Sequence, residues 1–463
     1  MNLPVCLSAP ANKSIEQEEE EDQPAINAPQ EGATVYNLQQ VIQQALTVSP
    51  SITSATADLE ASQAQYQEAK NASILPKLDM VIAGGVVPDV PYGSGPEGNF
   101  PNVDMNINNL GPFTQIRLDG FQPLYTFGKI SNLRKAALSG VEAKESGVQK
   151  ARNELVWQAK KAYVGLTALY SLKDFVLELQ DRSAKARDVI DKQIQKKSSE
   201  VTNIDVLRVQ VFQAETERRL IDINSNIDFL RLTLKVLMGL PRETNIDIQD
   251  RHLMMDETKI STFESYIHIA KEKRPELSQL QDMVNAREAA MKATKANFAP
   301  NIGIAGFYRF GWAPDRQDLQ NPFLSDDFNM NSGGGFLALS QNLSFHLTKS
   351  RWKQAKAQYD KAVADQQRAL QGIELEIRKT YSNATAKQQA VEASKKGFKS
   401  ARSWVLATTL NFGIGVATPK DLLDAFVAYS AVKISYLQTL SDYHMALADL
   451  SNAIGQEITQ LKY

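Results

Sequence analysis

The chain has 463 residues, 43% of them hydrophobic, a formal net charge of -2 and a single cysteine, Cys6. That length holds material for more than one domain and an ample core; the charge balance gives no reason to expect nucleic acid as a partner, and one cysteine excludes an internal disulfide. No run of 18 apolar residues occurs, which excludes a membrane-spanning helix but not a β-barrel, whose strands carry a much weaker hydropathy signal.

Met1 to Ala11 ends in Ala9-Pro10-Ala11, which reads like the small-residue end of a secretory signal without its basic start and long apolar core. The expectation is a start site inside a signal peptide; Leu3-Pro4-Val5-Cys6 is a poor lipid-acceptor sequence. Residues 12–32, with Glu16, Glu18 to Glu21 and Asp22, predict an acidic disordered tail, so that signal remnant and tail together take residues 1–35.

From there the second half of the chain restates the first. Ala45 with Pro50 recurs as Ala270 with Pro275, an offset of 225, and Pro76 recurs as Pro300. Gln122-Pro-Leu recurs as Gln341-Asn-Leu, Asp205-Val-Leu as Asp421-Leu-Leu, and Gly239 as Gly455, the last two offset by 216. Offsets that drift this slowly indicate one duplicated unit with small loop deletions: a first repeat over 36–261 and a second over 262–463.

Each repeat opens with a short helix (38–47; 263–272), a proline and a second helix (50–72; 275–298). A change of period from 3.6 to 2 then predicts strands, at 77–87 and 113–125 in the first repeat and at 301–312 and 336–347 in the second. Ile302, Ile304, Tyr308, Phe310 and Trp312 fall on one face, and Ile116 and Leu118 oppose Gln115, Arg117 and Asp119. Leu337, Leu339, Leu343, Phe345 and Leu347 set the returning strand of the second repeat, and long polar loops, Pro88 to Pro112 and Ala313 to Gly335, join the pairs. The helical period returns over 130–197 and 349–411, where no proline interrupts it. Runs of 68 and 63 residues are each about 100 Å of straight helix, too long for an ordinary globular domain. After turns at 198–202 and 412–418, helices over 203–238 and 419–454 run back along them, with frequent alanines that permit close packing. Residues 240–261 and the tail from Gln456 lie outside these elements.

Four strands cannot close a barrel, and open edges are not tolerated in hydrocarbon. Several chains must share one barrel, three of them giving twelve strands, with Tyr308, Phe310 and Trp312 suited to an aromatic girdle. The competing reading is a non-channel coiled-coil, structural or adhesin-like envelope protein whose strands never insert. No enzyme is expected: no constellation of acid, base, nucleophile or metal ligand appears, His252, His268, His346 and His444 have neither metal spacing nor a triad, and no cofactor motif is present.

The break Phe412-Gly-Ile-Gly-Val-Ala-Thr-Pro-Lys-Asp-Leu-Leu-Asp-Ala425 puts two carboxylates on the first turn of a helix that Thr418 can cap and Pro419 can start. Asp421 and Asp424 are i and i+3, on one face; alone, such acids are ordinary at a helix start. With Leu38-Gln-Gln-Val-Ile-Gln-Gln-Ala-Leu before Pro50, Lys161-Ala-Tyr163, Phe412-Gly-Ile-Gly415, Asp421-Leu-Leu-Asp424-Ala and Leu450-Ser-Asn-Ala-Ile-Gly455, in order through both repeats, Tyr36 to Glu457 resembles the TolC-like outer-membrane efflux family.

The resemblance implies a mainly α fold with a β-barrel contribution: a homotrimer whose twelve-stranded barrel sits in outer-membrane lipid and continues as a periplasmic α-helical tunnel, with a mixed equatorial region to which residues 240–261 and the tail from Gln456 belong. It implies passive export, drug or metal efflux or type I secretion, with a periplasmic adaptor and an inner-membrane pump as partners. The family's constricting aspartates correspond to Asp421 and Asp424; six carboxylates at one opening should raise some of their pKa values, attract cations and admit a plugging multivalent cation. The family's tyrosine and arginine tethers fall at Phe412 and Ala417, neither able to make the same bonds, which leaves Asp205 as a latch partner for Lys420. The adaptor-contact turn corresponds to Ile414-Gly415-Val416, and in the first repeat to Ser198-Ser199, where the expected glycine is missing.

Overall fold

The computed structural model describes residues 32–88, 110–195, 202–256, 258–316 and 326–458. In chain order the elements are β1 Thr34–Tyr36, α1 Leu38–Val48, α2 Pro50–Asn71, β2 Lys77–Pro88, β3 Leu110–Tyr125, α3 Lys129–Gln195, α4 Asn203–Leu237, β4 Ile246–Ile248, α5 Phe263–Lys273, α6 Pro275–Lys295 with a 3-10 turn at Ala296–Phe298, β5 Asn301–Trp312, β6 Met330–Ser340, α7 Phe345–Gly413 and α8 Pro419–Ile454. The helix-helix-hairpin-helix-helix order repeats. The chain divides into two compact units, each drawing on both halves: residues 1–50, 152–273 and 375–463 form one, 51–151 and 274–374 the other.

The first unit is helical. Asn37 opens α1 with a capping box, its side chain accepting from the Gln40 amide at 2.8 Å while the Gln40 side chain accepts from the Asn37 amide at 2.9 Å. Leu38 and Val41 of α1 enter a core with Tyr163 and Leu166 of α3 and with Ile227 and Leu234 of α4. A small parallel sheet, β1 on β4, closes against that core, so Thr34 and Val35, assigned to the acidic tail by composition, are strand residues. Asp247 of β4 has a fully buried side chain; it accepts from the Tyr170 hydroxyl at 2.7 Å and pairs with Arg231 at 3.4 Å and with Arg251. Two guanidiniums and a phenol thus compensate a carboxylate that would otherwise be costly to bury. Desolvation, with the Asp247 bond second, raises the Tyr170 pKa. This network ties the 240–261 segment to the long helices.

The second unit is built on a four-stranded antiparallel sheet in the order β2-β3-β5-β6. The register carries Met80, Leu118 and Tyr308 in one row and Ile82, Ile116 and Phe310 in the next, giving one apolar face. Asp79 and Asp119, then Arg117 and Arg309, occupy rows of the other face. Among the described residues no helix is long and apolar enough to cross a membrane.

The returning strand of the second repeat differs from its expected span of 336–347. It runs from Met330 to Ser340, pairing Met330 with Gly311 and Ser340 with Asn301. Gly333 to Gly335, which read as loop, are strand residues. A Cβ at Gly333 would lie 3.3 Å from Tyr308 Cδ2 and one at Gly334 3.2 Å from Phe307 Cε1, so glycine is what lets β6 lie flush beside two large neighbours. The alternation through Leu343, Phe345 and Leu347 is not strand: Asn342 Oδ1 accepts from the Ser344 amide at 2.8 Å, and α7 begins at Phe345.

Candidate functional site

The site is the turn between α7 and α8, in the helical unit. Around Asn411 the α7 carbonyls are satisfied by backward bonds: the Val416 amide donates to the Asn411 carbonyl at 2.8 Å and the Ala417 amide to the same oxygen at 3.2 Å. Gly415 is in the left-handed region, φ +74°, which reverses the chain at no Cβ cost. Its neighbours Ile414 and Val416 are 75% and 71% exposed, so the turn presents two bare aliphatic side chains.

Thr418 then caps α8 and Pro419 takes the first helical position. Thr418 Oγ1 accepts from the Asp421 amide at 3.2 Å; Asp421 Oδ2 accepts from the Thr418 hydroxyl at 2.6 Å and from the Thr418 amide at 3.0 Å. These bonds, the hydroxyl's first, hold the Asp421 carboxyl below the usual carboxylate range. The shift is opposite in sign to the one expected from crowding of carboxylates alone, because within one chain the carboxylate is engaged by its own helix start. Asp424, one turn on, is exposed and has no hydrogen bond or ion pair among the described residues. Lys420 is exposed beside them.

The first repeat builds the same start. Thr202 precedes α4, and Asp205 Oδ2 accepts from the Thr202 amide at 3.0 Å and hydroxyl at 2.8 Å. Asp205 Oδ1 accepts from Arg208 at 3.2 Å. Among the described residues the partners of Asp205 are Thr202 and Arg208, and Lys420 is not among them. Thr202, Asp205 and Arg208 align with Thr418, Asp421 and Asp424 at the same offset of 216. Where the second repeat carries its free acid, the first carries the cation that neutralises its capping aspartate. Extending the repeat by three residues beyond Asp205 would have found this from sequence. Ser198 and Ser199 lie outside the described residues.

Phe412 is half-buried and makes no tether; it lines an apolar cavity of about 260 Å³ with Ile190, Val209, Pro419, Leu423 and Phe426. The tip is thus held by packing among α3, α4, α7 and α8. No group of three or more His, Cys, Asp or Glu side chains among the described residues is placed to hold a metal ion.

Residues 266–456 match the outer membrane efflux protein family. The alkaline protease secretion protein AprF of Pseudomonas aeruginosa is 22% identical over 337 residues, 71% of this chain and 67% of that protein. The fold is similar to the crystal structure of the outer membrane protein VceC of Vibrio cholerae, with a TM-score of 0.74 and 19% identity, over 91% of this chain and 96% of that one. It is also similar to the Campylobacter jejuni CmeC outer membrane channel, with a TM-score of 0.73 and 16% identity over 99% and 96%. The chain thus resembles the outer membrane efflux proteins: residues 266–456 match that family, and the fold is similar to those of the solved outer-membrane channels.

Proposed function

We propose that three copies of this chain assemble into one duct that conducts exported molecules passively through the outer membrane, with the α7–α8 turns at its periplasmic entrance. The observation that carries this reading is the sheet β2-β3-β5-β6: one apolar face, one charged face, and two edges, β2 and β6, with no further strand beside them among the described residues. Such a sheet is stable in hydrocarbon only when its edges are closed by others like it. A periplasmic adaptor would dock at Ile414 and Val416, whose exposed aliphatic side chains flank Gly415, and an inner-membrane pump would supply the driving force. AprF carries secretion in its name, and a further relative, 25% identical over 216 residues, is the fusaric acid resistance protein FusA of Burkholderia cepacia. These two relatives are named for alkaline protease secretion and for fusaric acid resistance, and in the proposed duct the cargo is set by the pump.

At the entrance Asp424 offers the free carboxylate and Asp421 the engaged one, repeated three times around an axis. The reading is tested in planar bilayers. Wild type should show cation-preferring conductance that multivalent cations added at the tip side block, and Asp424→Asn should relieve most of the block, Asp421→Asn less. A protein that gives no conductance at all would instead fit the coiled-coil envelope reading.

A further inference from the structure

The charged face of the sheet carries an arrangement that the tip does not explain. Arg117 of β3 and Arg309 of β5 are directly cross-strand, which places their Cβ atoms about 5 Å apart, a position where like charges oppose folding. Nothing in their own row relieves this. Their row continues into Val81 on one side and Ser332 on the other, and neither guanidinium has an ion-pair partner among the described residues. Acids within diagonal reach are Asp79 and Asp119, one row nearer the helices. Asp79 is already paired with Lys77 at 3.1 Å. Arg309 is steadied by lying over the Phe307 ring at 5.3 Å, which fixes its plane without neutralising it. Both arginines are exposed in the single chain.

Two forks set side by side, unpaired, on a wall where the opposite face is apolar, are suited to oxyanions, since a guanidinium binds carboxylate or phosphate through two parallel hydrogen bonds. We propose that Arg117 and Arg309 form an oxyanion-binding site in the barrel lumen, a transit point for carboxylate- or phosphate-bearing cargo on the loop side of the Asp79 and Asp119 row. The proposal rests on the trimeric duct, in which three such pairs line one ring. The ring is cationic where the entrance at Asp421 and Asp424 is anionic, so the two sites select by opposite sign. Three cations, Lys77, Arg117 and Arg309, stand against two carboxylates, Asp79 and Asp119, so the wall keeps a net positive charge.

The test uses full-length protein in planar bilayers with inorganic pyrophosphate added on the loop side. Wild type is blocked, and the double variant Arg117→Gln, Arg309→Gln loses about tenfold in apparent pyrophosphate affinity, with its reversal potential in a potassium chloride gradient moving toward cation preference. Arg117→Lys retains the reversal potential but weakens the block, because a lysine keeps the charge without the fork. Equal block in wild type and the double variant would overturn the proposal. So would the absence of block in wild type with its appearance in Asp119→Asn, which would mean that the acid row already satisfies the arginines. Conductance lost in every protein, wild type included, would overturn the duct itself and the site with it.

Discussion

Residue-scale chemistry was most legible where it obeys a rule spanning three or four positions. Thr418, Pro419 and Asp421 read as a helix start and are one. What three residues cannot specify is which way the Asp421 carboxylate turns, and that decides its pKa: toward its own cap, Thr418 lowers it. His444 belongs to no metal spacing or triad in the sequence. It is 4% exposed, its Nε2 lies 2.7 Å from the Met254 carbonyl, and Nδ1 has no hydrogen-bond partner among the described residues. Burial lowers its pKa against the opposing pull of the Met254 bond and Asp256. The unfolded chain therefore takes up the proton more readily than the folded one near the ordinary histidine value of about 6.5. The resulting stability is fully present above that value and is lost as pH falls below it, until the folded histidine titrates too. Thermal midpoints measured from pH 7.5 to 5.5 should fall in wild type and fall less steeply in His444→Gln; parallel slopes would remove His444 from the acid sensitivity.

Element boundaries followed the same logic at longer range. Prolines and caps fixed the helix starts, and the recurrence of Gly239 as Gly455 marked both returning helices' ends. Both glycines are left-handed, φ +64° and +71°. The β6 strand was misplaced because its position is set by pairing with β5 and not by its own composition: a glycine run reads as loop until the rings of Phe307 and Tyr308 beside it are known. The β1–β4 sheet was invisible for a related reason, since three residues per strand carry no period. The two helix ends make different predictions. Gly455→Ala should cost about 1 kcal/mol, the ordinary strain of a left-handed alanine. At Gly239 an added Cβ also meets Val48 Cβ at 3.2 Å, so Gly239→Ala should cost roughly twice as much. Urea midpoints of the two variants would order them, and equal losses would show that α1 yields at Val48.

Whole-molecule organisation is written in what a single chain leaves uncovered. Helix α4 buries Val209, Thr216, Ile223, Ile227 and Leu234, a seam at seven- and four-residue spacing that its own chain fills. On its other side Ile204, Leu207, Val211, Ile221, Phe229 and Val236 are each at least 59% exposed, with Ile204 to Val211 and Phe229 to Val236 again seven apart. A helix apolar on two sides is built to be packed on two sides. The exposed edges β2 and β6 make the same demand of the sheet, and both are met if each chain lies between two copies of itself. Under the trimeric reading Val211 and Phe229 face a neighbouring chain, and a glutamate at either position would leave an unpaired charge buried at each of three contacts, of order 3 kcal/mol per contact. Native mass spectrometry in detergent should therefore find wild type as a trimer and Val211→Glu, Phe229→Glu as a monomer. The double variant should keep its helical circular dichroism, because neither side chain enters the core of its own chain. A trimer that survives both glutamates would place the neighbouring chain elsewhere and leave the second seam of α4 to a different partner, the periplasmic adaptor, whose proposed contact is at the tip, where Val209 of that helix and Phe412 line one cavity.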